Sequence, residues 1–222
     1  DFLRVESDVF DVDPMQQCDD AGLRMHDFVS RCICRDGSER QLEWASFVAP
    51  DGLVYAVARD ITERRRVEAE LAYAASHDPV TGLQHHLLLE HALAEILCHP
   101  SVPASVLVVG LDRFQLVNAS VGHPTGDDVL QRLATRLQTA LGGRGRIARF
   151  AGDEFMVTVA GMPAAAVLEL AEVLRAVVAE PIEGSDYRLL LTASVGVSHS
   201  SAHGTDARNL LRRAEAAMRQ AK

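Results

Sequence analysis

Helical and strand patterns alternate from residue 77 onward, broken by one central hairpin, and this order predicts an α+β chain. The arrangement expected is a ferredoxin-like antiparallel sheet with helices on one side. Ahead of it, three short strands separated by tight turns predict a β-meander, and a charged helix joins the two parts.

The meander reads as Asp27–Cys34, a turn at Asp36-Gly37, Gln41–Val48, a turn at Asp51-Gly52, then Leu53–Ala58. Three strands of this length cannot bury both faces. Residues 1–26 have weak periodicity and receive no assignment. A helix is expected from Ile61 to Ser76, with Thr62 or Asp60 as its cap. Val67, Leu71 and Ala74 form a narrow apolar stripe on it, which suits a seam between two protomers as well as packing on its own domain. Beyond it the pattern predicts helix Leu87–Cys98, buried strand Ala104–Leu111 and helix Asp127–Leu141. That last helix carries Leu130, Leu133, Leu137 and Leu141 on one face and stops at Gly142-Gly143. Strands Arg146–Phe150 and Phe155–Val159 make the hairpin. Helix Ala164–Ala179, strand Leu189–Val197 and helix Asn209–Ala221 complete the order.

At 222 residues the chain accommodates one large domain or two small ones, and its apolar fraction of 48% is ample for real cores. A net charge of −9 argues against nucleic acid or an anionic membrane as the general partner. No apolar run is long enough to cross a bilayer, and the start has no signal-peptide pattern, so a cytoplasmic location is expected. Beginning at Asp1-Phe2-Leu3, the chain reads as a fragment of something longer. Cys18, Cys32, Cys34 and Cys98 lack metal-site spacing and are expected as buried or half-buried reduced thiols.

Chemistry concentrates at Arg149-Phe-Ala-Gly-Asp-Glu-Phe155, where two consecutive carboxylates stand on a small-residue turn. With almost no side chain at Ala151-Gly152, phosphates could approach the backbone, and Asp153 and Glu154 stand where a hard cation would be held against them. Alone, such a tip reads as a solvated turn. It is accompanied by His77-Asp-Pro-Val-Thr-Gly-Leu83, by Gly110-Leu-Asp-Arg-Phe-Gln115 in a strand-end loop, by Asn118 with Gly122-His-Pro-Thr-Gly-Asp127, and by Lys222.

Taken together, residues 77–222 resemble the GGDEF family, the diguanylate cyclases that condense two GTP into cyclic di-GMP, with a nucleotide-cyclase-like fold. The resemblance implies that Asp127 and Asn118 read guanine, whose two edge N–H donors a carboxylate can accept. It implies Asp153 and Leu111 as magnesium-holding residues, and Asp153 with Glu154 as the catalytic pair. Phe114, Gln115, His123, Gly152 and Lys222 would contact the nucleotide, the Phe114-Gln115 backbone and Lys222 through its phosphates. Independently, Asp127 reads equally well as a helix-start carboxylate. The meander followed by Asp60-Ile-Thr-Glu-Arg-Arg-Arg66 resembles the C-terminal half of a PAS sensor domain, whose cofactor stays open. The implied organisation is a partial PAS domain over 1–60, a signalling helix over 61–76 and a GGDEF domain over 77–222, its end truncated.

Departures from the family pattern bear on activity. Where the family has Asp-x-Asp-x-Phe-Lys, this chain has Gly110-Leu-Asp112-Arg-Phe114-Gln115, which removes a magnesium carboxylate and a phosphate-facing cation. Asn-Asp becomes Asn118-Ala119. His85-His86 replaces Asn-Arg, which removes the usual partner of Asp78 and predicts a looser turn there. The first signature glycine is Ala151, and the inhibitory Arg-x-x-Asp is absent at residues 142–145. Three readings compete: a catalytically silent module that binds GTP over a weakened magnesium site and regulates something else, an active cyclase, or a ligand-free dimerising spacer. The first is preferred. A homodimer through the linker helix and PAS region is expected, and a regulatory GGDEF module often precedes an EAL phosphodiesterase in the same polypeptide.

Overall fold

The computed structural model describes residues 4–5, 26–49, 51–99, 101–184, 187–204 and 206–222. Most of the unassigned region 1–26, with Cys18, lies outside them. The chain divides into two units, Asp1–Tyr73 and Ala74–Lys222.

In the first unit, β1 (Arg4–Val5), β2 (His26–Ile33), β3 (Glu39–Val48) and β4 (Val54–Asp60) pair antiparallel in chain order. The expected meander is present. Trp44 lies opposite Phe28 and Ala58, stacks on Phe28 at 6.0 Å and donates its indole N–H to Ser30 Oγ at 2.8 Å. Ser30, Cys32 and Leu42 are buried, whereas Tyr55 and Val57 are exposed, as a short meander requires. Helix α1 (Thr62–Ser76) is capped by Asp60, which accepts from the Thr62 N–H at 3.0 Å. Thr62 Oγ1 instead accepts from the Gln41 N–H at 2.8 Å, stitching the helix start to β3. No residue of α1 is buried, so Val67 and Leu71 stand exposed.

The second unit runs β5 (Gln84–His85), α2 (His86–Leu97), β6 (Ala104–Leu111), α3 (Phe114–Val121), α4 (His123–Leu141), β7 (Arg146–Ala151), β8 (Glu154–Ala160), α5 (Ala164–Val178), β9 (Ile182–Glu183), β10 (Arg188–Leu189), β11 (Ala193–His199), α6 (Ser200–His203) and α7 (Ala207–Ala221). Its main sheet has the order β11-β6-β8-β7-β5. All these pairings are antiparallel except β5 with β7, which is parallel and makes the sheet mixed.

Helices cover both faces, not the one expected. Leu107, Val109 and Leu111 of β6 join a core with α3, α4 and α5, while Val106 and Val108 join a second core with α2 and α7. Successive side chains of a strand point to opposite faces, so an unbroken apolar run such as Ala104–Leu111, all buried, requires cover on both. Other differences are local. The expected strand-end loop after Leu111 turns at once into α3. Helix α4 begins at His123, four residues early, with Pro124 in a first turn that has no use for its missing N–H. The strand expected over Leu189–Val197 is interrupted at residues 190–192, where Leu190 is 72% exposed. Of the described cysteines, Cys32 is buried, Cys34 half-buried and Cys98 exposed, the last against expectation because it caps the C-terminus of α2 just beyond its final buried residue, Leu97.

Candidate functional site

The carboxylate turn is built as predicted between β7 and β8, with a bulge between Arg149 and Ala151. Gly152 takes φ +52°, a conformation that disfavours any side chain, and a Cβ there would meet nothing within 4 Å. The backbone is therefore open to an approaching group. Ala151 does not need positive φ, so its replacement of a glycine is mild. The Asp153 carbonyl accepts from the Leu111 N–H at 3.1 Å, and Glu154 lies opposite Gly110 in the β6–β8 register. Asp153, Glu154, Leu111 and Gly110 thus meet at the end of β6.

Helix α7 completes this corner. It packs across β11 so closely that a Cβ on Gly196 would lie 2.0 Å from the Ala214 carbonyl oxygen. That approach carries Met218 and Lys222 over Gly110: a Cβ at Gly110 would meet Met218 Sδ at 2.6 Å and Lys222 Cε at 3.2 Å. The Lys222 ammonium ends 3.4 Å from Asp153 Oδ2. Burial pushes the Glu154 carboxyl up. The nearby Lys222 charge works against that rise, and Asp153 adds to it.

Asp112 is held elsewhere. Its oxygens accept from Thr192 Oγ1 at 2.6 Å and Ser194 Oγ at 2.9 Å, and its N–H donates to the Thr192 carbonyl. Next to it, Arg113 adopts left-handed backbone angles (φ 56°, ψ 27°) at the start of α3, the one non-glycine residue with positive φ among those described. Phe114 buries its side chain in the core, which anchors the first turn of α3, and Gln115 is exposed there. Asp112, Arg113, Leu116, Thr192 and Lys222 line a cavity of about 580 Å³.

The guanine-reading candidates lie on α3 and in the first turns of α4. Asn118 packs onto the start of α4, its Oδ1 only 1.9 Å from where a Cβ of Gly126 would stand, so Gly126 permits the contact. Asp127 follows, exposed, and His123 is exposed at the first position of α4. Asn118 is four residues beyond Phe114, about 6 Å along the helix axis. Adjacent Asp128 accepts from the Tyr187 hydroxyl and from Arg132 Nε at 2.9 Å, which fixes the first turns of α4.

One expectation is overturned. Asp78 has a partner, Arg149, at 3.1 Å, and the Thr81 N–H and hydroxyl each donate to it at 2.8 Å. Burial alone would raise the Asp78 carboxyl; these donors outweigh it and hold the group below the usual range. Arg149 Nε also donates to the Gly152 carbonyl at 2.9 Å, so the guanidinium locks the Asp78 turn to the carboxylate turn. Sequence reasoning looked for the partner at residues 85–86 and missed Arg149, although it opens the signature segment itself.

A family profile described as diguanylate cyclase, GGDEF domain, matches residues 75–222. The chain belongs to the GGDEF family. That places residues 75–222 in the diguanylate cyclase family of cyclic di-GMP signalling. Among relatives of this GGDEF chain, an uncharacterized signaling protein of Caulobacter vibrioides is 34% identical over 189 residues, covering 82% of this chain and 23% of the relative. Diguanylate cyclase DgcM of Escherichia coli K12 is 33% identical over 172 residues, 74% of this chain and 41% of the relative. The chain thus spans between about a quarter and two fifths of the length of these curated relatives. Among solved structures, the GGDEF domain of TpbB (YfiN) from Pseudomonas aeruginosa matches with a TM-score of 0.63 at 31% identity, covering 66% of this chain and 88% of that one. A sensory box/GGDEF family protein from Caulobacter crescentus matches with a TM-score of 0.61 at 34% identity, over 66% of this chain and 97% of that one.

Proposed function

We propose that this GGDEF domain is a GTP-binding regulatory module with little or no cyclase activity, acting on a partner or an attached effector such as an EAL phosphodiesterase. The observation that carries the reading is the arm of Lys222 lying over Gly110 with its ammonium against Asp153. The family normally works with magnesium, an ion that demands oxygen ligands in near-octahedral array. Here the residues fit it poorly. Position 110 supplies no carboxylate, the Asp153 charge is met by an ammonium and Asp112 is engaged by two hydroxyls, which leaves Glu154, opposite Gly110, as the carboxylate of this corner without an ion pair among the described residues. Guanine recognition is better supported, because Asn118 and Gly126-Asp127 are brought together by α3 and α4.

An active cyclase is the second reading. It is favoured by Glu154, whose raised carboxyl beside the turn suits a proton acceptor. The antiparallel meander and its Asp60-capped exit helix support assigning residues 1–60 to the C-terminal half of a PAS sensor domain, its cofactor unknown. The exposed Val67 and Leu71 on α1 support a homodimer through the linker helix and PAS region. No helix among the described residues is long and apolar enough to cross a membrane, which accords with a cytoplasmic setting.

The test is GTP turnover with magnesium and with manganese, and calorimetry of GTP binding on the same sample. Micromolar binding without product, weakened by Asp127→Ala, is the expected result. Product that disappears in Glu154→Ala would establish the cyclase instead, and neither binding nor product would leave a spacer. Gly110→Asp, which Met218 must turn aside to admit, is expected to raise turnover above the parent.

A further inference from the structure

We propose that Asp112 is a positioning residue of the nucleotide site. Its carboxylate clamps Thr192 and Ser194, and the clamp holds the turn that aims the first backbone N–H groups of α3 at the phosphates. The inference rests on the proposed reading of the site as a GTP site and gives a role to a carboxylate which that reading leaves unused.

The clamp stands where the sheet ends. Strand β11 pairs with β6 as far as Ala193 opposite Leu111, with Ser194 opposite Gly110. One residue beyond this ladder, the Asp112 N–H donates to the Thr192 carbonyl at 2.9 Å. The Asp112 carboxylate accepts from the Thr192 hydroxyl at 2.6 Å and from the hydroxyl of buried Ser194 at 2.9 Å. Each carboxylate oxygen thus has its own donor, and hydrogen bonds to an ionised acceptor are stronger than neutral ones. Swinging this carboxylate towards the Gly110 corner would strip a buried hydroxyl of its acceptor. Asp112 is therefore a fastening and does not stand in for the carboxylate missing at Gly110.

What it fastens is the chain reversal into α3. Arg113 takes φ 56° and ψ 27°, left-handed angles that cost a residue with a Cβ and persist only where neighbours hold them. Both neighbours are held, Asp112 by β11 and Phe114 by the core. No side chain caps α3, and the first N–H groups of a helix have no partner within it. The Leu116 N–H closes onto the Arg113 carbonyl at 2.9 Å, which leaves the N–H groups of Phe114 and Gln115 for a ligand. Their direction is set by the turn at Arg113, and so by Asp112.

Two measurements on the full chain test this. Amide hydrogen exchange without nucleotide reads the turn itself: Asp112→Ala and Thr192→Val should each speed exchange at Leu116 by about tenfold or more relative to the amides of α4. Unchanged exchange at Leu116 would overturn the clamp whether or not GTP binds. Titration with GTP by calorimetry and with guanosine by NMR, both in magnesium buffer, reads the consequence. Each variant should weaken GTP binding by about tenfold and guanosine binding by less than about twofold, with Thr192→Ser close to the parent. Equal losses for GTP and guanosine would show a merely structural role and overturn the proposal. A loss in Asp112→Ala without one in Thr192→Val would overturn it too, because the carboxylate would then act on the ligand or a metal directly. A parent chain that binds neither ligand would overturn the GTP-site reading itself, and exchange at Leu116 tells that failure from failure of the clamp.

Discussion

Arg149 shows how one side chain can hold two segments in a working relation. Its guanidinium reaches the Asp78 carboxylate from one strand end and the Gly152 carbonyl from the same residue, so the domain's entry turn and its carboxylate turn move together. Both side chains are mostly buried, at 16% and 20% exposure, so solvent screens the pair less than a surface ion pair. Asp78 is held below the ordinary carboxylate range, so its contribution is fully present above the unfolded value of about 3.9 and is lost as pH falls through the depressed folded value. Asp78→Asn is therefore expected to lower stability by about 2 kcal/mol at pH 7, with the gap to the parent closing below about pH 4. Urea midpoints at pH 7 and pH 3 measure this. A gap independent of pH would mean that the turn geometry, not the charge, carries the effect.

At the scale of elements, α7 decides the character of the site. The helix has its apolar side in the core through Leu210, Leu211, Ala214 and Met218, and Gly196 lets its backbone approach the sheet. The two glycines under it differ in what they face. A methyl at Gly196 would meet backbone atoms, the Ala214 oxygen at 2.0 Å and the Met218 nitrogen at 2.3 Å, which cannot yield without moving the helix. A methyl at Gly110 would meet the flexible side chain of Met218, which can turn away. Gly196→Ala should thus cost more than about 2 kcal/mol and weaken GTP binding by shifting Lys222, whereas Gly110→Ala should cost less than about 1 kcal/mol. Denaturation of the two variants side by side tests this; equal losses would contradict it.

At the scale of the whole molecule, the division near residue 73 matters most. Among the described residues, both cores of the second unit are formed by its own residues, from Leu83 to Met218. Residues 74–222 expressed alone are expected to unfold in one cooperative transition and to bind GTP within about twofold of the full chain. A fragment that fails to fold would show that residues 1–73 support those cores. A fragment that folds but loses affinity would assign residues 1–73 a direct part in nucleotide binding.

The meander, the helix joining it, the hairpin and the leucine face of α4 were legible in the sequence because each depends on a local period or a turn residue. So was the family, because its motifs are short and ordered. The cover on both sheet faces was implied by the unbroken run Ala104–Leu111, yet which helices supply it depends on contacts far apart in the chain. Helix α3 was hidden because its start uses Arg113 in a left-handed conformation that no glycine or asparagine announces. Sequence alone determined that a carboxylate is missing at Gly110. Only the tertiary structure decided what lies over that glycine, because Met218 and Lys222 reach it across more than a hundred residues, by the close approach of α7 to Gly196.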